Sequence, residues 1–239
     1  MGHSAKQREV SHGQSQRSAY QRLRGMIVSG GLSPGAWIIE ADLAAKLGCS
    51  RTPIRAALQL LQQEGYVASL SSGMAKNRMS VAPLTQEDAR ELYSIIGHLE
   101  GLAARSTAEL ARAKRAEVVT SLKRFNAGLS QLAAARQSDA KNIFELDLGF
   151  HRTVVEASAG PRLVELHKTV QPQAERYWRL YAGAILDELG ESIAEHDVII
   201  QAISKGNADK AERGIQKNWQ NGAARLARVI DTLGERGNR

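Results

Sequence analysis

Residues Trp37 to Val67 read WIIEADLAAKLGCSRTPIRAALQLLQQEGYV, and their spacing predicts two short helices joined by a tight turn. The first covers about Glu40 to Leu47. Gly48 stops it, because glycine accepts the left-handed conformation that follows a helix end. Ser50 is the candidate N-cap of the second helix, and Pro53 falls inside its first turn, where a missing N–H costs little. In that second helix Ile54, Ala57, Leu58 and Leu61 recur at i, i+3, i+4, i+7 and form one apolar stripe. Arg51, Thr52, Arg55, Gln59 and Gln62 share the neighbouring arc.

A helix that buries one side and offers Arg, Gln and Thr near its N-terminus suits insertion into a DNA major groove. Arginine pairs bidentately with guanine O6 and N7, and glutamine with adenine N6 and N7. A solvated amphipathic helix would show the same wheel. The short helix, glycine turn and second helix together favour the DNA reading, with Ser50, Arg51, Thr52, Arg55 and Gln59 as the contacting residues.

The stretch is followed by two β-leaning segments, YVASL and RMSVAPL, around the turn SSGMAKN. They predict a short hairpin, a wing, with Ser71, Ser72 and Gly73 as its candidate DNA contacts. Upstream, Arg17 to Ser29 is expected to form a helix with Tyr20, Leu23, Ile27 and Val28 facing inward. Residues 1 to 16 are polar, lack periodicity and are expected to be a disordered tail. Charge supports this division. Residues 1 to 82 carry 10 Lys or Arg against 4 Asp or Glu, and the remainder 22 against 21, so nearly all of the net +7 lies with the candidate DNA-binding unit.

The 239 residues suffice for two modest domains. There is no apolar run of membrane-spanning length and no signal-peptide pattern, which leads to the expectation of a cytoplasmic protein with no membrane partner. Cys49 is the only cysteine, so an intrachain disulfide and a CxxC-type metal site are both excluded. From Pro83 onward the pattern is helical throughout, with helices expected at about 86–110, 112–136, 139–158, 161–183, 188–204 and 208–233 and breaks at Ser138, Gly160–Pro161, Gly190 and Gly206–Asn207. The fold class expected is therefore mainly α. An N-terminal winged helix-turn-helix over residues 17–82 precedes a C-terminal all-α bundle over 83–239.

The bundle carries polar groups on its apolar stripes. Asp147 and His151 are i, i+4 partners beside Ile143, Phe150 and Val154; His196 lies among Ile193, Ile200 and Ile203; Asn218 lies among Ala211, Ile215, Gly222 and Leu226. Burying such groups unsatisfied would cost about 1–3 kcal/mol each, so they need partners or a ligand. Two arrangements meet that need. One is a divalent cation such as Zn, Ni or Mn on the aspartate and imidazoles. The other, the commoner in general, is a closed hydrogen-bond network. Tyr177, Trp178, Tyr181 and Trp219 are explained by core packing or, less commonly, by an aromatic-lined pocket.

Residues 33 to 67 resemble the winged helix-turn-helix of GntR-family bacterial transcription regulators. The family pattern of PG, E-x-x-LA, LG-x-SRTP-[VI]-R-x-AL and EG is met at Pro34, Gly35, Glu40, Leu43, Ala44, Leu47, Gly48, Ser50 to Arg55, Ala57, Leu58, Glu64 and Gly65. The glycine that the family commonly has near Arg78 is absent. The later helices resemble the FCD effector-binding domain of the FadR-type subgroup. Its D-x-x-x-H helix matches Asp147 to His151. Its E-H-x-x-I-x-x-AI helix matches Glu195, His196, Ile199, Ala202 and Ile203, followed by Gly206 and Ala211.

The resemblance implies a metal site of one aspartate and three histidines, present here as Asp147, His151 and His196 with Asn218 in the place of the third histidine. It also implies an effector pocket. The family's carboxylate-holding arginine falls on Ile96, so His98, Arg152, Arg176, Trp178 and Arg179 are the other candidate effector residues. The protein expected on these grounds is a homodimeric regulator, commonly a repressor, that binds double-stranded operator DNA under the control of a small-molecule effector. Two other readings are a metal-dependent enzyme using Asp147, His151 and His196, and a DNA-binding protein whose bundle only dimerises. No nucleophile or paired catalytic carboxylates support the enzyme.

Overall fold

The computed structural model describes residues 2–70, 78–135, 139–185 and 189–237, and the chain falls into two units, Met1–Thr85 with Glu235–Arg239 and Gln86–Gly234. In the first unit the order is α1 (Gly2–Val28), β1 (Trp37–Ile38), α2 (Glu40–Leu47), α3 (Arg51–Gln63), β2 (Val67–Leu70) and β3 (Arg78–Val81).

The backbone of α1 is helical from Gly2, upstream of the Arg17 start that apolar spacing suggests. The added residues include Ala, Lys, Gln, Arg and Glu, which are good helix formers although they present no apolar stripe. Further along, Ala19, Leu23 and Ile27 recur on one face and close over Leu43, Leu47, Ile54, Leu58 and Leu61 in one core cluster. Fully burying a side chain such as Leu23 or Leu61 contributes about 1.5–3 kcal/mol. Tyr66 is also completely buried, and its hydroxyl accepts from Arg24 Nε at 3.2 Å.

The turn between α2 and α3 forms as its residues dictate. Gly48 takes φ 66°, ψ 36°, and its N–H bonds back to α2 carbonyls. Ser50 occupies the N-cap position of α3 with an extended backbone but makes no side-chain cap bond. The three strands form an antiparallel sheet in the order β1-β3-β2, with Trp37 opposite Ser80 and Val67 opposite Val81. Leu84 and Arg236 exchange two backbone hydrogen bonds, so the C-terminal residues rejoin the first unit.

The second unit is all-helical: α4 (Gln86–Glu109), α5 (Arg112–Ala134), α6 (Ala140–Ser158), α7 (Pro161–Ile185), α8 (Leu189–Ser204) and α9 (Ala208–Leu233). Asp139 and Asn207 begin α6 and α9 by accepting the backbone N–H of Asn142 and Lys210. Gly190 lies within the first turn of α8 and does not break it. At that position the N–H has no intrahelical partner to lose, which lowers the cost of glycine. Ala103, Ala104, Leu122, Phe150, Val154, Ile199, Ile203 and Ile215 are among the residues of the central cluster. The most extensive packing is between α4 and α9. Gly97 allows their close approach, because a Cβ there would stand 2.9 Å from Trp219 Cβ.

Candidate functional site

The first candidate site is the N-terminal half of α3. Its buried face of Pro53, Ile54, Ala57, Leu58 and Leu61 leaves Arg51, Thr52, Arg55 and Gln59 exposed together, with Ser50 exposed before them. Arg55 is engaged by α2: its Nε and Nη2 donate to the two carboxylate oxygens of Glu40 at 3.1 and 2.8 Å. The fork aligns the guanidinium and holds the Glu40 carboxyl below its usual pKa, through the hydrogen bond from Arg55 and its charge. The wing candidates Ser71, Ser72 and Gly73 lie outside the described residues.

The second lies inside the bundle. Helical geometry puts Asp147 and His151 one turn apart on α6, and α8 brings His196 to them. One potential ligand atom from each of the three lies within 4.8 Å of the others. His196 is fully buried, and its ring stacks on Phe150 with centroids 3.8 Å apart. Its Nδ1 contacts Asn126 Oδ1 at 3.2 Å. Its Nε2 is buried without a hydrogen-bond partner among the described residues, 3.6 Å from Asp147 Oδ1. Burial pushes the His196 pKa well down and that of Asp147 up, so each resists carrying its charge.

Beside this group stands Glu100 of α4, fully buried. Its Oε2 accepts from His151 Nδ1 at 2.6 Å and Trp219 Nε1 at 2.7 Å, and its Oε1 from His167 Nε2 at 2.8 Å. Burial alone would raise its pKa, but the charge of His151 and the donated bonds outweigh it and hold the carboxyl at about 2. Burial likewise works against protonation of His151, and the Glu100 carboxylate overrides it, raising that imidazole to about 9. One carboxylate thereby ties α4 to α6, α7 and α9.

A cavity opens onto both groups. Tyr93, Phe144, Trp178 and Trp219 give it aromatic walls, while Asp147, His151, Asn218 and Arg225 give it polar ones. It holds about 920 Å³ of empty space, part of which is open solvent at its mouth. Asn218 borders it, but its Nδ2 donates to Glu195 Oε2 at 2.7 Å. Glu195 also receives Asn221 Nδ2 at 2.7 Å and Arg225 Nη1 at 3.0 Å.

Of the candidate effector residues, Trp178 lines this cavity; the other five stand elsewhere. Ile96 is fully buried packing. His98 is exposed on α4, with Nδ1 against Ser94 O at 2.7 Å. Arg152 pairs with Glu156, and Arg179 with Glu175 one turn away. Arg176 is buried outside the lining. Helix rotation explains the placement of His98, Arg152, Arg176 and Arg179, since neighbours one or two residues from a lining position point elsewhere; Ile96 shares the stripe of Tyr93 and Glu100 but is taken up in the core. Sequence reasoning gave no site role to Glu100, His167, Asn126 or Arg225. Its available signal was an acidic residue, Glu100, on the same helical stripe as Tyr93, Ile96, Ala103 and Ala104.

Two family models match this chain. Residues 15–73 match the family model described as bacterial regulatory proteins, gntR family, and residues 91–221 match the FCD domain. An uncharacterised HTH-type transcriptional regulator of Bacillus subtilis is 28% identical over 89% of this chain and 91% of its own length. The gluconate operon transcriptional repressor of Bacillus licheniformis is 26% identical over 82% of this chain and 79% of that protein. Among solved structures, McbR/YncC of E. coli has a TM-score of 0.67 at 22% identity, covering 90% of this chain and 97% of that one. A GntR regulator of Rhodococcus sp. RHA1 has a TM-score of 0.64 at 24% identity, covering 90% and 97%. At these identities the structural matches speak for the fold.

Proposed function

The chain belongs to the GntR family of bacterial transcription regulators and carries the FCD domain, and from that premise we propose that it is a ligand-controlled repressor acting as a homodimer in the cytoplasm. The reading head is α3, with Arg51, Thr52, Arg55 and Gln59 at base edges and Ser50 at phosphate; Ser72 and Gly73 of the wing join them. The controlling ligand occupies the cavity beside Asp147, His151 and Trp178. The observation that carries the reading is the union, in one chain, of an exposed Arg/Thr/Gln row on a recognition-type helix and a cavity in the bundle lined by aromatic and polar side chains. A ligand that prefers one dimer arrangement changes operator affinity by linkage, because half-sites are read at fixed spacing. A bundle that only dimerises would have no need of such a cavity.

A divalent cation fits the Asp147, His151 and His196 donors, because His196 Nε2 is a buried acceptor with nothing to accept. When bound there, Zn, Ni or Mn would supply a positive charge against which an anionic ligand is held. Asn218 belongs to the Glu195 network in this reading and is left out of the ligand set. The bundle binds its ligand and performs no reaction on it.

The test uses the full chain against a pool of random duplexes. Enrichment of a sequence with two half-sites is expected, and a compound that raises the melting temperature should also change affinity for that sequence. An Arg51→Ala/Arg55→Ala variant that enriches the same sequence with equal affinity would refute the reading head. Turnover of the bound compound would refute the non-catalytic role.

A further inference from the structure

The side chain of Asn126 has only one orientation that satisfies its surroundings. On one side stand two groups that can only accept, Asp197 Oδ1 at 2.9 Å and the carbonyl oxygen of Ile193 at 3.1 Å. The amide nitrogen must face them, so Oδ1 faces His196 Nδ1. An amide oxygen accepts and cannot donate. The proton of a neutral His196 therefore sits on Nδ1, and Nε2 carries a bare lone pair. Phe150, stacked on the ring at 8°, fixes the plane in which that lone pair points. Nε2 lies 3.6 Å from Asp147 Oδ1, beyond hydrogen-bond range, and has no hydrogen-bond partner among the described residues.

We propose that Asn126 is the positioning residue of the bundle's cation site: it holds His196 in the Nδ1–H tautomer and thereby makes Nε2 a ligand for a divalent metal. The proposal rests on the metal reading above. At His151 it is Glu100 that accepts the hydrogen bond of Nδ1, which leaves Nε2 as the nitrogen a metal would hold in place of its proton. An outer partner on each imidazole is what metal-ligating histidines generally require. Here the two partners come from α5 and α4, helices that contribute no ligand themselves.

The test pairs a loss with a rescue, in the full-length protein. Asn126→Leu removes the acceptor. The double variant Asn126→Asp/Asp197→Asn reverses the Asn126–Asp197 bond but keeps an oxygen at His196 Nδ1. Zn affinity, measured by competition with a chromophoric chelator, is expected to fall about ten- to a hundredfold in the first variant and to recover in the second. Imidazole ¹⁵N shifts of metal-free protein give a readout that packing loss alone would not move. His196 should be the Nδ1–H tautomer in the parent and the double variant, and lose that preference in Asn126→Leu. A parent whose His196 is Nε2–H overturns the proposal, as does an Asn126→Leu protein with unchanged tautomer and affinity. An Nδ1–H parent that takes up no Zn, Ni or Mn overturns the metal reading and supports the tautomer assignment.

Discussion

Glu100 Oε2 lies 2.6 Å from His151 Nδ1, and both side chains are almost wholly withdrawn from solvent. The same carboxylate receives Trp219 and His167, so three donors from three other helices support it. A buried charge with this much support is costly to break by removing one partner, roughly 3–5 kcal/mol. Glu100→Gln is therefore expected to destabilise the bundle by about that amount in denaturant unfolding followed by Trp fluorescence, because an amide cannot accept from three donors at once.

The pH dependence of that loss has a definite sign. Glu100 has its folded pKa lowered from 4.5 to about 2, so its contribution is present above 4.5 and is lost as the pH falls toward 2. His151 is raised from 6.5 to about 9, so its contribution is complete below 6.5 and is lost as the pH rises through 9. The stability difference between the parent and Glu100→Gln should be greatest between these windows and shrink on both sides. A difference that stayed flat from pH 5 to pH 10 would show that no ion pair forms.

The contact between Gly97 and Trp219 offers a steric test. A Cβ at 2.9 Å from Trp219 Cβ forces α4 and α9 apart, and Gly97→Ala should destabilise by about 1–3 kcal/mol. Displacing Trp219 also loosens its bond to Glu100, so its emission should shift to longer wavelength. An alanine variant with parental stability and emission would mean that the helices do not pack this closely.

Recognition should divide by residue. Arg51→Ala and Arg55→Ala are each expected to weaken specific binding on the order of tenfold while leaving the bundle's melting unchanged. Glu40→Ala removes the fork partner of Arg55 and should relax discrimination at the base pair that Arg55 reads more than it lowers overall affinity. Binding of each variant to operators substituted one base pair at a time checks this.

Metal should register in stability. If Asp147, His151 and His196 hold Zn, a hundredfold excess over Kd raises stability by about 2.7 kcal/mol, and the gain should vanish in Asp147→Ala or after chelation. An equal gain in the variant would place the metal elsewhere.

The division into a winged reading head and a helical bundle was legible because its signals are local. The stripe of Ile54, Ala57, Leu58 and Leu61 and the αL glycine at position 48 each depend on neighbours within a turn or two, and the charge excess before residue 82 is a sum that needs no fold. Asp147 and His151 were legible for the same reason, being one helical turn apart. The lining of the bundle's cavity was less so, with Trp178 alone of the six effector candidates on it. His98, Arg152, Arg176 and Arg179 carry suitable chemistry, yet the rotation of each helix turns them to core or surface, and Ile96 is buried in the core.

The sequence by itself thus determined the helix-turn-helix, the helical bundle and the apolar faces of α3 and α6, because these depend on periodicity and local backbone preference. Only the tertiary structure decided which partners those residues meet. Glu100 reaches His151 across 51 residues and Trp219 across 119, and Asn126 reaches His196 across 70. Such meetings depend on helix packing summed over the whole bundle, and they put a carboxylate against one imidazole and an amide oxygen against the other.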